Sequence, residues 1–179
     1  ELNADGNVKF NSLNFKMKGS GKFLKFEVKE EKLKVKGSNS ELISDDIKMF
    51  SDGFIEVNNL DGNFLLKGEN SKLINESVLI EANSIEGIFS EINGKKEIEF
   101  LNVIDNNIAY VKNNDTEMYA KKINFDNNTS IIELIDNVTI IRNEEKITGD
   151  FGTLDTIKNS YKIKSKNQTK VRVIIQNNE

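Results

Sequence analysis

The sequence predicts an all-β protein built from many short antiparallel strands. Apolar and polar residues alternate along most of the chain, turn-forming residues recur at intervals of about 8 to 15 residues, and the 179 residues include no proline. Alternation places apolar side chains on one face of a strand, and proline would remove donors from a strand ladder. Helical spacing is not sustained anywhere, although residues 71–80 contain one candidate helical turn.

Three hairpins are predicted in the first hundred residues. The paired segments are 26–28 with 33–35, 55–57 with 64–66, and 89–92 with 98–100. A polar turn at residues 29–32 joins the first pair, Asp61-Gly62 the second and Asn93-Gly94 the third. Asp-Gly and Asn-Gly accommodate the positive φ angles of a type I′ turn, which is the turn that suits a tight hairpin.

The residue types that are missing exclude most catalytic and metal chemistry. The chain contains no cysteine and no histidine, so a disulfide framework, a thiolate metal site and any Ser-His-Asp or Cys-His mechanism are impossible. Paired carboxylates occur at Glu30-Glu31, Asp45-Asp46 and Glu144-Glu145, all in turn-like segments where solvation explains them. The sequence therefore predicts no enzyme, no cofactor and no metal site.

Charge is distributed unevenly along the chain. Residues 1–36 carry a net charge of +4, residues 37–118 of −10 and residues 119–179 of +2, which together give the formal −4. The basic N-terminal part could meet an anionic surface, or its lysines, which alternate with apolar residues, could decorate a solvent face. The net negative charge disfavours nucleic-acid binding. No apolar run reaches the 18 residues of a membrane-spanning helix, and a start at Glu1 without methionine suggests a mature or trimmed form.

A short pattern repeats within the chain. Ala120-Lys-Lys-Ile123-Asn-Phe125-Asp126 corresponds to residues 149–155, shifted by 29, and an earlier copy begins at Ala82, with a fainter one at Ser44. Each copy is expected to be a strand, a turn and a second strand that cannot bury its apolar face alone, so the copies stack or curl together. The irregular spacing, near 38 and then 29 residues, argues against a strict solenoid. With no linker visible, we expect one domain over residues 1–179, with the clearest repeats at 118–175.

The repeat and the segments that follow it resemble a known family. The matching segments are Ala120-x-x-Ile123-x-Phe125-Asp126, Leu134-x-Asp136-Asn137-Val138-x-Ile140, Ile147-x-Gly149-Asp150, Leu154-Asp155 and Lys170-Val171-x-Val173. They resemble the OstA-like periplasmic family of lipopolysaccharide export. The resemblance implies a twisted open β-jellyroll of about sixteen antiparallel strands in two sheets, with an apolar groove for lipid acyl chains. It also implies head-to-tail stacking into a bridge between membranes. The family has soluble bridge members and membrane-anchored members, and the sequence does not choose between them.

Candidate site residues follow from this resemblance together with the alternation. The inward apolar positions expected to line the groove, or to pack a core, are Phe125, Ile132, Leu134, Val138, Ile140, Ile147, Leu154, Tyr161, Ile163, Val171 and Val173. Unpaired edges for assembly are expected near Val8 and Phe10 at the N-terminus and Val171, Val173 and Ile175 at the C-terminus. Of the doubled isoleucines at 131–132 and 140–141, one row is expected to face the groove and the other to be covered by neighbouring elements.

The expected function is that of a periplasmic lipid-binding component of lipopolysaccharide transport that carries acyl chains in the groove. Its expected partners are lipopolysaccharide and other β-jellyroll proteins of the same machinery, or further copies of itself joined by strand pairing. A membrane anchor could precede the visible chain. The alternative is a structural or adhesive β-repeat segment of a surface protein that binds a protein partner.

Overall fold

A computed structural model describes residues 1–76, 78–92, 95–143, 145–158, 160–166 and 170–175. Within these ranges the chain forms fourteen strands, somewhat fewer than the number implied by the resemblance, and the all-β prediction is confirmed. The strands are β1 Leu2–Ser12, β2 Met17–Glu27, β3 Lys32–Lys36, β4 Ser40–Ser44, β5 Ile47–Ser51, β6 Phe54–Asn58, β7 Asn63–Asn75, β8 Val78–Ile92, β9 Lys95–Asn113, β10 Thr116–Asp126, β11 Ile131–Arg142, β12 Glu145–Asp155, β13 Ser160–Lys164 and β14 Arg172–Ile175. A search of these residues for a helix that could cross a membrane finds none.

All strands pair antiparallel in one continuous sheet that bends into two facing halves, sheet I and sheet II. Sheet I contains β3, β6 and β13, sheet II contains β4, β5 and β14, and the long strands contribute to both. The strand β2 shows the division clearly, because its residues 17–20 pair with β4 and its residues 23–27 pair with β3. Register shifts mark the bend in the long strands, for example between Ile135 and Val138 of β11. Such bulges bend a strand and increase its twist.

Small residues line the inside of the bend, which we call the crease. Ser51 and Ser71 lie there with their hydroxyl oxygens 3.2 Å apart, and Ala109 pairs with Ala120 across β9 and β10. All four side chains are buried. Because larger side chains would hold the sheets apart, these residues let the two backbones converge along one line, while the opposite side stays wider.

The hairpin turns lie on the opposite side, which we call the rim. Turns such as 59–62 and 127–130 end sheet I, and turns such as 45–46 and 114–115 end sheet II. The space between the two sheets at the rim is called the slot. The sheet ends at β1 on one side and at β13 and β14 on the other. Within the described residues, β1 pairs only with β2, and β13 and β14 each pair only with β12.

The N-terminal strands close into a ring. Pairings run from β2 through β4, β5, β7, β6 and β3 back to β2. Inside this ring Leu42, Ile47, Met49 and Ile55 are fully buried, so this end of the interior is packed core. Outside the ring, β2 also pairs with β1 and β7 also pairs with β8. Within the described residues, the sheet therefore continues on both sides of the ring and ends in free edges at β1 and at β13 and β14.

The predicted hairpins are confirmed in their strand pairings. Phe26 pairs with Leu33, Val57 with Phe64 and Phe89 with Ile98. The Asp61-Gly62 turn differs from the type I′ expectation. Only Gly62 of that pair has a positive φ, of 70°, because the connection is a longer loop over residues 59–62. The Asn93-Gly94 turn lies outside the described residues.

The three stronger copies of the repeat have a common structural basis. Ala82, Ala120 and Gly149 all lie at the crease, at the bends of β8, β10 and β12. The copies therefore mark every second strand, and each spacing spans one hairpin. The fainter copy at Ser44 is wrong, because Ser44 is the last residue of β4 and lies at the rim.

The doubled isoleucines separate by face. Ile132 and Ile140 point into the interior and are buried at 5% and 1% exposure, whereas their neighbours Ile131 and Ile141 are half-buried on the outer face. The expectation that neighbouring elements cover the second row is wrong for the described part of the chain. Ile141 lies between Glu117 and Lys146 of the adjacent strands, and no described element packs over it.

Candidate functional site

The slot contains an apolar cavity of about 480 Å³ in the middle of the molecule. Both sheets supply its wall, Ile80 and Val111 from sheet II and Val103, Ile123 and Ile132 from sheet I. These strands supply one inward apolar residue at every second position. The cavity volume lies within the range of about 300–1,000 Å³ typical of small-molecule pockets. The arrangement can shelter a hydrocarbon group that enters from the rim.

The N-terminal end of the slot is bridged by Lys96. This residue belongs to the start of β9 in sheet I, and its ammonium donates hydrogen bonds to Ser44 Oγ of sheet II at 2.8 Å and to Asn59 Oδ1 at 3.3 Å. Burial lowers the pKa of Lys96 from its ordinary value, and the nearby carboxylate of Asp45 partly opposes this effect. Lys96 therefore marks the boundary between the packed core of the ring and the open cavity.

A second bridge crosses the slot toward the C-terminal end. The Tyr161 hydroxyl on β13 of sheet I donates a hydrogen bond to Glu145 Oε2 on β12 of sheet II, at 2.7 Å. This hydrogen bond to a carboxylate raises the pKa of Tyr161, and burial adds to the effect. The cavity thus lies between two polar links, one on each side along the slot.

The mouth of the cavity is polar and carries charges of both signs. Lys95 lies 3.9 Å from Asp46 and 4.0 Å from Glu76, all exposed at the rim. Exposed pairs of this kind contribute little to stability. Their position matters more, because a polar mouth over an apolar wall suits an amphiphile whose head group remains in water.

The structure places most of the predicted groove residues on the interior faces of the two sheets. Phe125 and Ile132 line the cavity itself. Six of the inward residues are buried, namely Ile132, Leu134, Val138, Ile140, Ile147 and Leu154, and Phe125, Tyr161 and Ile163 are half-buried against them. Val173 faces inward on β14 but is 56% exposed, and Val171 precedes that strand and is 41% exposed. Whether any of these residues contacts a ligand stays a prediction.

Several wall residues were not among the sequence candidates. Ile80, Val103 and Val111 lie on β8 and β9, upstream of the segment that resembles the family. Their signal was available in the sequence, because each occupies an inward position of an alternating strand. Lys96 had no such signal, since only the tertiary structure shows that it reaches from one sheet to the other.

Four of the five predicted edge residues lie on strands that pair with a single neighbour within the described residues. Val8 and Phe10 lie on β1, and Val173 and Ile175 lie on β14. Strand β14 is exposed on both faces and is strongly apolar, with Ile174 at 51% and Ile175 at 63% exposure.

The carboxylate pairs lie in turns, as expected for Glu30-Glu31 and Asp45-Asp46, while Glu144 lies outside the described residues. Within the described ranges, no group of three or more acidic side chains is arranged to hold a metal ion.

Comparison with known proteins agrees with this architecture. The family model described as LptA/(LptD N-terminal domain) LPS transport protein matches residues 55–160. Among solved structures, the chain resembles LptH from Pseudomonas aeruginosa, described as the LptA homologous periplasmic component of the conserved lipopolysaccharide transport device. The TM-score is 0.58 at 16% sequence identity, over 73% of this chain and 95% of LptH. A search of curated proteins found no significant match.

The structural likeness to LptH shows the β-jellyroll fold. The family match covers more than half of the chain and spans β6 to the start of β13, which includes most of the cavity wall. The family is one of transport proteins rather than enzymes. The chain therefore belongs to the LptA/LptD N-terminal domain family of lipopolysaccharide transport proteins.

Proposed function

We propose that this protein is a periplasmic component of lipopolysaccharide transport that holds lipid acyl chains in its slot. The observation that carries the proposal is the cavity of about 480 Å³, whose apolar wall comes from both sheets and whose mouth opens at the polar rim. The periplasmic location is carried over from LptH, which is described as a periplasmic component.

Elementary energetics support an acyl chain as the occupant. A water-sized group occupies about 30 Å³, so the cavity has room for about sixteen such groups. Each methylene removed from water contributes about 0.8 kcal/mol, and part of this gain is offset by ordering the chain. The carboxylates and Lys95 lie at the mouth, and the ammonium of Lys96 at one end of the cavity is hydrogen-bonded to Ser44 and Asn59. The rest of the wall, including Ile80, Val103 and Ile123, is apolar.

Site-specific photo-crosslinking tests the proposal. A photoreactive residue at Phe125, on the cavity wall, is expected to capture lipopolysaccharide. The same residue at Ile141, on the outer face of β11, is the matched control and should give no adduct. Absence of adducts at Phe125, Ile132 and the deeper position Ile140 would refute lipid binding in the slot.

The free edges support a second part of the proposal, which is head-to-tail assembly into a bridge. Strands β1 and β14 each have one strand neighbour in the described residues, and an open edge pairs readily with a strand of another chain. The exposed apolar side chains of β14, Val173 and Ile175 among them, would be covered by such a contact.

Light scattering tests the assembly. The mass should rise with protein concentration, and deletion of residues 170–179 should abolish the rise. The control is Leu60→Ser, which removes an apolar side chain that is 61% exposed in the turn between β6 and β7, away from that edge. A mass independent of concentration would remove the assembly proposal and leave lipid binding standing. Assembly without lipid capture would instead favour a structural β-repeat that binds protein.

A further inference from the structure

The outer face of sheet II carries a row in which lysines and aliphatic residues share neighbouring strands. Each residue of the row is the cross-strand partner of the next, from β2 through β4, β5, β7 and β8 to β9. The row, called the basic row, consists of Lys18, Ile43, Lys48, Ile74, Leu79 and Lys112. Six strands at about 4.8 Å give it a width of about 24 Å.

The exposure pattern of the basic row is that of an amphipathic surface. Its three lysines are exposed, and Ile43, Ile74 and Leu79 are half-buried beside them. Lys18 and Lys48 form no ion pair within the described part of the chain, and Lys112 approaches Glu117 at 3.6 Å. The ammonium groups of Lys18 and Lys48 are therefore available to a partner, and the three aliphatic side chains lie between the lysines on the same face.

The surroundings reinforce the positive potential. Outward positions of sheet II carry seven basic side chains against three carboxylates, a net charge of +4 on a chain whose total is −4. The basic residues are Lys9, Lys18, Lys48, Lys72, Lys112, Lys146 and Arg172, and the acidic ones are Glu41, Glu81 and Glu117. Tyr110 and Tyr119 extend the same face, with ring centroids 5.0 Å apart. Tyrosine is enriched where an apolar phase meets water.

The outer face of sheet I differs in its charge arrangement. There Lys32 and Lys34 each approach Glu56 at 2.9 Å, and Lys25 pairs with Glu27. These lysines have carboxylate partners, whereas Lys18 and Lys48 of the basic row form no ion pair within the described residues, so this part of sheet I offers a weaker attraction to an anionic partner.

We infer that the basic row is a docking surface for an anionic lipid bilayer. Lysines beside a membrane with anionic lipids gain electrostatic attraction, and apolar side chains on the same face insert into the boundary between head groups and acyl chains. The row meets both requirements, and its charge is opposite to that of the bilayer. This surface lies outside the slot, so the inference does not depend on lipid binding inside it. Of the basic N-terminal segment, Lys18 belongs to the row and Lys9 lies on the same face.

Vesicle co-sedimentation of the full chain tests the inference. Binding is expected to vesicles of phosphatidylglycerol and phosphatidylcholine and not to phosphatidylcholine alone, and it should weaken as salt is raised. One lysine near an anionic surface corresponds to about fivefold in affinity, so the variant K18Q/K48Q/K112Q should bind about 100-fold more weakly.

The matched control is K67Q/K122Q/K164Q, which removes the same charge from the outer face of sheet I. This variant should bind as the unmodified protein does, within about threefold. Circular dichroism of both variants establishes that the fold is retained. Equal weakening of the two variants, equal binding to neutral vesicles, or no binding to anionic vesicles would overturn the inference. Tight binding to soluble heparin without vesicle binding would also overturn it, in favour of an anionic polymer.

Discussion

Ile140 and Phe125 both point into the interior, and the structure predicts that removing each side chain has a different effect. Ile140 is 1% exposed inside the packed core, whereas Phe125 is half-buried on the wall of the cavity. Ile140→Ala removes three buried carbons, worth about 2.4 kcal/mol of transfer free energy. The space left behind adds to this, so the free energy of unfolding should fall by about 3–4 kcal/mol.

Phe125→Ala should lower stability less and lipid affinity more. Part of the ring already faces the cavity, so we expect a loss of about 1–2 kcal/mol in the free energy of unfolding. Full burial of such a ring is worth about 1.5–3 kcal/mol. About half of that would be lost from the lipid contact, which corresponds to roughly tenfold weaker binding.

Two measurements separate these effects. Urea unfolding gives the free energy of unfolding, and an unchanged m value shows that the same surface is exposed in each variant. Displacement of a fluorescent fatty acid gives the relative affinity for lipid. The reasoning would be refuted if Ile140→Ala were no less stable than Phe125→Ala, or if Phe125→Ala bound the fatty acid as tightly as the unmodified protein.

Three further predictions concern the links around the slot and the close approach of strands. The pKa of Lys96 is lowered in the folded state, so the unfolded chain binds more protons between the folded pKa and the ordinary value of 10.5. As pH rises through that window, urea titrations should show that the free energy of unfolding of the unmodified protein rises relative to that of Lys96→Met. A difference that does not change with pH would contradict the burial of this ammonium. Tyr161→Phe removes the hydrogen bond to the Glu145 carboxylate. Because the pair is partly exposed, the free energy of unfolding should fall by only about 0.5–1.5 kcal/mol, which thermal unfolding measures. Gly87→Ala would place a Cβ 2.3 Å from the Phe100 carbonyl oxygen and 2.6 Å from Phe64 Cζ. The strands must therefore shift, and the free energy of unfolding should fall by about 1–3 kcal/mol. An unchanged unfolding midpoint would show that the strands move freely there.

The two polar links between the sheets, made by Lys96 and Tyr161, differ in the chemistry of their partners. Lys96 holds the two sheets together through neutral partners, Ser44 and Asn59, and Tyr161 does so through a carboxylate. Lys96 lines one end of the cavity through its polar group, and the Tyr161–Glu145 pair is not among the lining residues. Their removal therefore changes how the sheets are held at the rim without reducing the apolar surface that a lipid would contact.

Local patterns in the sequence determined the strands, the hairpins and the inward faces. Alternation shows that Leu134, Val138 and Ile140 share one face without reference to any other strand, and the structure shows that this face is the buried one. The repeat at Ala82, Ala120 and Gly149 was also visible, because a small residue recurs at the bends of β8, β10 and β12. The Ser44 copy shows the limit, since the same residue types also suit an ordinary hairpin turn.

Tertiary structure alone decided which inward residues form a packed core and which line a cavity. Met49 and Phe125 each have a cross-strand partner on both sides, yet Met49 is fully buried and Phe125 borders the cavity. The difference therefore comes from what the opposite sheet places over each residue. The same is true of Lys96, whose reach across the slot depends on the separation of two sheets. A period of two residues determines the face of a strand, but the distance between opposing faces is set by the small side chains of the crease and the links at the rim.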